Sequence, residues 1–431
     1  MSGLTRAFAH RNYRLFFSGQ LISLTGTWMQ QVAQAWLVYR LTRSSVLLGL
    51  VAFAGQIPVF LFAPLGGALA DRAHRHRIIV GTQTAAMVLA CVLAALTLGG
   101  WVRVWHVFVL ASLVGVVSAF DIPARQAFFV DMVGRDDLMN AIALNSSLVN
   151  GARIVGPAVA GAIVAAVGEG WCFFINGVSY LAVLAGLLLM DRTAPPAPIH
   201  ARPSACADIA EGFRFAGGTA PVRALLLLLG FVSVTAMPYT VLMPIFADQI
   251  LQGGARGLGV LMGATGIGAL AGALSLAARQ GVQGLGRWVA GGSLGFGLCL
   301  MLFSFSRTFW LSVALLVPTG ATFMVQMAAS NTLIQAMVPD RLRGRVMAVY
   351  SMMFMGMAPF GALLAGTIAD RIGAPHTVAL GGVACVGAAM IFGLRLPALR
   401  GEARELIVAQ GRGGLPPTRS SSPEAAAASA V

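Results

Sequence analysis

The sequence predicts an all-α integral membrane protein of twelve transmembrane helices in two pseudo-symmetric six-helix halves. Three observations predict it. Hydrophobic residues make up 58% of the 431-residue chain and charged residues only 10%, a balance that water-soluble domains of this length do not show. About twelve apolar stretches each approach the roughly 20 residues needed to cross a hydrocarbon core of about 30 Å. Residues 132–168 also repeat as residues 337–373 when the chain is laid on itself with an ungapped offset of 205 positions. The offset puts Met132 and Val133 on Met337 and Val338, Ala143 on Ala348, Ser146 on Ser351, and Gly151 on Gly356. It also puts Gly156 on Gly361, Ala160 and Gly161 on Ala365 and Gly366, and Gly168 on Gly373. Solute carriers use such repeats to build two halves that rock around a site near mid-bilayer. Transport, not covalent chemistry, is the function class indicated.

In chain order, residues 1–14 form a short N-terminal segment carrying Arg6, His10, Arg11 and Arg14. The following span is too long for a signal-peptide h-region and no small-residue cleavage site follows it, so it is expected to stay in the protein. Spans at 15–39, 46–70, 78–99, 104–125, 139–166 and 171–190 make a first half, 15–190. Residues 191–221 switch to Pro-, Arg- and His-containing sequence and form the linker. There Ile209, Phe213 and Phe215 suit either a short amphipathic helix on the membrane surface or a solvated loop. Spans at 222–247, 257–279, 285–305, 309–332, 344–369 and 376–394 make the second half, 222–394. From Arg395 the composition turns Arg-, Gly-, Pro-, Ser- and Ala-rich, and 395–431 is expected to be a disordered tail. Every span is expected to be helical, because a crossing segment must satisfy its own backbone polar groups and the alternating pattern of a barrel strand is absent. Pro58, Pro64, Pro157, Pro238, Pro244, Pro318 and Pro359 lie inside spans, where they mark kinks and close contacts.

The net charge of +14 would suit nucleic acid, but its distribution argues otherwise. All basic charge is arginine. With a cytoplasmic N-terminus, about 22 arginines fall on that side and only Arg40, Arg43, Arg103, Arg256, Arg307 and Arg371 outside, which is the positive-inside pattern. Both termini are therefore expected in the cytoplasm, in a bacterial inner membrane given the Arg-only, Ala- and Gly-rich composition. Cys91, Cys172, Cys299 and Cys385 sit singly in apolar spans and Cys206 in the linker, which gives neither a disulfide framework nor metal-ligand spacing. No metal, cofactor or nucleic acid is expected, and a monomer is.

Between spans two and three, Gly67, Leu69, Ala70, Asp71, Arg72 and Arg75 match in register the loop Gly-x-Leu-Ala-Asp-Arg-x-Gly-Arg-Arg/Lys of the major facilitator superfamily. His74 stands in place of the motif's glycine and His76 in place of its last basic residue. A topogenic basic loop would explain the arginines without explaining Asp71. The resemblance implies that Asp71 caps the N-terminus of helix eleven near Gly344 in the outward-facing state, where a carboxylate gains about 0.3–1 kcal/mol from the helix dipole. It also implies a charge relay of the loop Asp and Arg with an acid at the cytoplasmic end of helix four. Asp71, Arg72, Arg75 and Asp121 take those places, with Arg125 a further partner; a static cluster fixing helix ends is the alternative.

Phe120 to Phe128, with Asp121, Pro123 and Arg125, and span five, with Asn145, Asn150, Arg153, Gly156, Pro157 and Gly161, resemble a particular branch of that superfamily. It is the branch containing the enterobactin exporter and macrolide-efflux proteins, the transmembrane secretion effectors. The resemblance covers roughly residues 5 to 395. Gly156, Pro157 and Gly161 are similar to a degenerate antiporter signature of helix five, and Ala152, Gly156 and Ala160 make a small-residue seam whose repeat copy keeps Gly361 and Ala365. Helix packing alone also accounts for them, as it does for Gly67.

Arg153 is the charge nearest mid-span, where charges face a cavity or a partner; an anionic or phenolic cargo and a permanent structural partner both remain open. Gln20, Ser23, Thr27, Gln30 or Gln31, and Gln34 form a polar stripe on span one, and Thr319, Thr322, Gln326 and Ser330 one on span ten. The resemblance implies that helices one, four, seven and ten line a central cavity, so Gln20, Thr27, Gln30, Gln34, Asn150, Arg153, Thr322 and Gln326 are the candidate cargo contacts. No P-loop is present. Proton antiport is implied by resemblance alone, and it needs an acid whose proton affinity changes with state; Asp121 is the candidate. The expected activity is secondary active export of an amphiphilic drug, siderophore or secondary metabolite. Uptake or lipid flipping on the same fold, and a non-transporting sensor or scaffold, are the alternatives.

Overall fold

The computed structural model describes residues 3–191, 205–279 and 281–411, and all regular structure among them is helical. After a 3-10 turn at Gly3–Ala9 come α1 (Arg11–Thr42), α2 (Ser45–Arg72), α3 (Arg75–Leu98), α4 (Val104–Val133), α5 (Leu138–Val167) and α6 (Glu169–Leu188). A linker helix, α7 (Ala205–Gly218), leads to a seventh span made of α8 (Ala220–Thr235), α9 (Tyr239–Ile245) and a π segment, Phe246–Ile250. α10 (Gly254–Ala277), α11 (Leu285–Phe305) and α12 (Phe309–Met337) follow. The eleventh span is α13 (Asp340–Ser351), a π segment at Met352–Gly356 and α14 (Ala358–Ile372), and the last is α15 (Ala374–Ala409). The two broken spans break beside Pro238, Pro244 and Pro359, which remove ladder donors. Eleven spans are long and apolar enough to cross a bilayer. α1, at 32 residues, is the twelfth, its hydropathy lowered by its glutamines and threonines.

The offset of 205 positions holds far beyond the sequence repeat. It carries the start of α4 at Val104 onto that of α12 at Phe309, and the start of α6 at Glu169 onto that of α15 at Ala374. The end of α2 at Arg72 falls on that of α10 at Ala277, and the end of α5 at Val167 on that of α14 at Ile372. Packing repeats too. A Cβ on Gly156 would stand 2.5 Å from Trp28 Cβ of α1, and one on Gly361 2.7 Å from the Val234 carbonyl of α8. A Cβ on Gly161 would meet the Ala255 carbonyl of α10 at 3.0 Å, and one on Gly366 the Ser45 carbonyl of α2 at 2.6 Å. The first pair closes each half on itself. The second joins the halves along two equivalent seams, α5 against α10 and α14 against α2, where only glycine lets backbones approach so closely.

Two helices run well past their expected ends. α4 runs on to Val133, past the predicted end at 125, because Arg125 forms an ion pair with Asp121 within the helix and so does not mark a membrane exit. α15 continues to Ala409, so residues 395–409 of the expected tail are helix, with Leu396 buried and Leu399, Ala403 and Ile407 against the core. Residues 412–431 lie outside the described residues. The linker holds α7, docked on α13 through Glu211 with Arg341 and Arg345, its Phe213 exposed and Phe215 half-buried. Residues 192–204 and the side chains of Cys206 and Ile209 lie outside what is described.

Candidate transport pathway and its gates

We call the side holding the ends of α6, α7 and α15 the terminal face, and the opposite side the far face. The halves are locked together at the far face. Beyond the two glycine seams, the Tyr39 hydroxyl at the end of α1 donates to Asp248 Oδ2 at 2.8 Å, and Arg43 donates to Tyr39 Oη at 2.8 Å and to Asp248 itself. Asp248 belongs to the π segment of the second half, so this three-residue latch bridges the molecule. Its hydrogen bond to Asp248, and then that to Tyr39, push the Arg43 guanidinium above its ordinary range, so the latch cation stays charged at any physiological pH. Nothing in the sequence pattern pointed to these residues, since their pairing needs two helix ends from different halves to meet.

At the terminal face the geometry is open. Asp71 and Arg72 are exposed, and Gly67 and Gly344 have no atom within 4 Å of where a Cβ would sit. Asp71 therefore does not cap the helix carrying Gly344 in this conformation, and Gly67 is not a packing residue; Gly66 is, against the Ala119 carbonyl. His74 sits in extended backbone with φ −66°, which needs no glycine, and His76 Nε2 lies 2.8 Å from the Leu187 carbonyl.

The relay is also differently composed. Arg75 turns inward and donates to Asp131 Oδ1 at 2.8 Å and to the Ala70 carbonyl at 3.1 Å. Asp121 is not its partner. The longer α4 places Asp131 at the terminal end and carries Asp121 almost three turns deeper. There Asp121 is only 5% exposed. It accepts from Thr82 Oγ1 at 2.8 Å and Gln83 Nε2 at 2.9 Å, and its Oδ2 lies 2.5 Å from Arg125 Nη2. Arg125 Nη1 donates in turn to Gln20 Oε1 at 3.1 Å. The offset of 205 maps Asp121 onto Gln326 and Arg125 onto Ser330, both fully buried and uncharged. The second half has kept the polar positions without the charges.

Arg125 has a second aspect. With Leu24, Ile122, Gln126, Asn145 and Val149 it lines a cavity of about 160 Å³ between α1, α4 and α5. Gln20, Leu24, Thr27, Gln31 and Gln34 are spaced along this same line of α1. Gln30 is not among them, because it faces α6 and accepts from Asn176 Nδ2 at 2.7 Å. Thr322 and Gln326 also turn away from the pathway, packing against Gly295 and Gly292 of α11. Asn150 donates to the Ser146 carbonyl of its own helix at 2.8 Å, leaving Asn145 as the asparagine on the cavity wall. Arg153 lies with its guanidinium 5.8 Å from the Trp28 ring centre, and the Tyr239 hydroxyl of the other half is within electrostatic reach. No carboxylate pairs with it among the described residues.

A family model described as transmembrane secretion effector matches residues 2–410. The chain belongs to that family. Relatives of the chain include the staphyloferrin A transporter of Staphylococcus aureus, 26% identical over 383 residues, spanning 88% of this chain and 95% of that one. The multidrug efflux pump Tap of Mycobacterium tuberculosis is 28% identical over 405 residues, 90% and 93% of the two chains. The enterobactin exporter EntS of Escherichia coli is 25% identical over 365 residues, 83% and 85%. Among solved structures, the nucleoside transporter NupG superposes with a TM-score of 0.71 at 14% identity, over 92% of this chain and 99% of that chain. A bacterial homologue of the lysosomal transporter Spinster, in an inward-facing and occupied conformation, gives 0.67 at 15%, over 95% and 99%. The chain thus has the twelve-helix major facilitator fold and is a membrane transporter.

Proposed function

We propose that the protein exports an amphiphilic small molecule, of the drug, siderophore or secondary-metabolite class, by alternating access coupled to proton antiport. The concentration of arginines on the terminal face supports reading it as cytoplasmic, and on that reading the protein is an inward-open monomer of a bacterial inner membrane. The carriers named for multidrug efflux and enterobactin export support the direction and the cargo class.

The observation that carries the coupling is the buried Asp121–Arg125 pair, whose arginine also lines the cavity. An intramembrane ion pair is costly to bury and is kept where it does work. A proton taken by Asp121 releases Arg125 from its carboxylate and changes what the cavity wall offers. Cargo enters from the cytoplasm along the α1 stripe and presents an anionic or phenolic group to Arg153, with Trp28 beside it. The far-face latch and glycine seams then part. Asp71 engages the helix carrying Gly344 in the outward-facing state that follows, and Arg72, Arg75 and Asp131 hold the loop that carries it.

Inside-out vesicles with an imposed pH gradient and a panel of fluorescent amphiphiles test this. Asp121→Asn is expected to lose gradient-driven accumulation and to keep cargo exchange between equal pools. Gradient-driven accumulation at the wild-type rate would move the proton site elsewhere.

A further inference from the structure

The geometry points to a second binding site, away from the pathway, that takes the phosphate headgroup and acyl chain of an anionic phospholipid. A cleft of about 500 Å³ opens at the terminal ends of α8, α11, α12 and α15. Leu225, Leu333, Met337, Phe392 and Leu396 form its walls, all nine-tenths or more buried, while the exposed Arg287, Arg400 and Arg404 stand at its edge.

The internal repeat explains why the cleft exists. The offset of 205 places Phe16 on Pro221, Ile79 on Gly284 and Phe128 on Leu333. In the first half those three side chains are 2%, 0% and 0% exposed and, with Tyr13, fill the equivalent space. Interiors close-pack to the density of organic crystals, so losing three large side chains leaves a hole unless others grow. Tyr13 maps onto Gly218, a further loss, whereas the gains are Leu187 to Phe392, Ala141 to Val346 and, at the edge, Thr82 to Arg287. The second half has thus given up core at the place where the first half is solid.

The lining specifies the occupant. Apolar walls beneath a ring of guanidinium groups, at the level where the apolar spans end, match a lipid acyl chain beneath a phosphate. None of the three arginines forms an ion pair among the described residues. α15 carries two carboxylates nearby: Glu402 accepts from the Ala220 backbone N–H, and the exposed Glu405 pairs with none of the three arginines. Arg400 and Arg404 stand one turn apart on α15, and Arg287 faces them from the start of α11. Basic residues at a cytoplasmic boundary attract anionic headgroups, each by about fivefold in affinity. The chain after Gly411 is a poor competitor, because it brings Arg412 and Arg419 against a single acid, Glu424.

Native mass spectrometry of the full-length detergent-purified protein, with dioleoyl-phosphatidylglycerol or dioleoyl-phosphatidylcholine added, tests the site. Wild type is expected to retain one phosphatidylglycerol in preference to phosphatidylcholine. The triple variant R287Q/R400Q/R404Q is expected to lose that preference, by more than about tenfold. Leu333→Phe, which restores the first half's residue in the cleft, is expected to lose the lipid while leaving the three charges in place. Equal retention of both lipids by wild type, or phosphatidylglycerol retention unchanged in either variant, overturns the proposal. So does a large gain of lipid on removing residues 412–431, since the tail would then be the occupant. Monodisperse elution and an unchanged melting temperature show that a variant's loss is not misfolding.

Discussion

Arg125 touches Asp121, Gln20 and the cavity, and the contact with Asp121 sets the consequence of removing it. Its loss leaves Asp121, 5% exposed, with two neutral donors and no cation. Breaking a buried pair from one side costs about 3–5 kcal/mol. Arg125→Gln is therefore expected to lower the melting temperature by several degrees, whereas Asp121→Asn, which keeps the acceptor and removes the charge, costs less. A thermal shift assay on the two purified variants checks the order; equal melting temperatures would mean the pair is solvated. Arg153 belongs to the same scale. A charge-assisted contact from it to cargo is worth about 1.5–3 kcal/mol, so Arg153→Gln is expected to weaken binding of anionic substrates about tenfold to a hundredfold and to leave neutral ones unaffected. A binding titration with matched anionic and neutral amphiphiles reads this directly.

At the level of helices, the proposed cycle requires the two seams to open. Gly161 and Gly366 are repeat partners that each press a different half against the other. Overpacking such a contact costs about 1–3 kcal/mol. In the proposed cycle the seam exists only while the far face is closed, so that cost would fall on the inward-open state and shift the equilibrium outward by about fivefold to a hundredfold. Gly161→Val and Gly366→Val are expected to raise the labelling rate of a cysteine placed on the far-side wall; Gly67→Ala, facing open space in this conformation, serves as the comparison. The sequence showed a small-residue seam at Ala152, Gly156 and Ala160, and Gly156 closes its own half; the inter-half contacts fall on Gly161 and Gly366 beside it. Which neighbour each glycine meets was not legible there, since a small residue records close approach without recording what approaches.

At the scale of the whole molecule, the proposed cycle sets two gates against one another. The far-face latch of Tyr39, Arg43 and Asp248 is partly exposed, and such pairs contribute about 0–1 kcal/mol. Asp248→Asn is expected to move the population towards outward-open by up to about fivefold. Asp71→Asn acts on the other gate and is expected to move it towards inward-open by a similar factor. Distance measurements between spin labels on α2 and α14 at the far face read both, and shifts of the same sign in the two variants would refute the two-gate scheme.

By itself the sequence determined the membrane as solvent, the number of crossings, the division into halves and the loop with Asp71 and Arg75. These follow from hydropathy, repeat and local spacing, all properties of neighbours along the chain. Only the tertiary structure decided that Asp131, not Asp121, meets Arg75, and that Gln30, Thr322 and Gln326 face other helices. It alone brought Arg43 to Asp248. The physical reason is the solvent: in lipid both the outward and the inward faces of a helix are apolar, so periodicity does not fix a helix's rotation about its axis. Where a side chain points, and what it meets, is settled by packing between helices far apart in the chain.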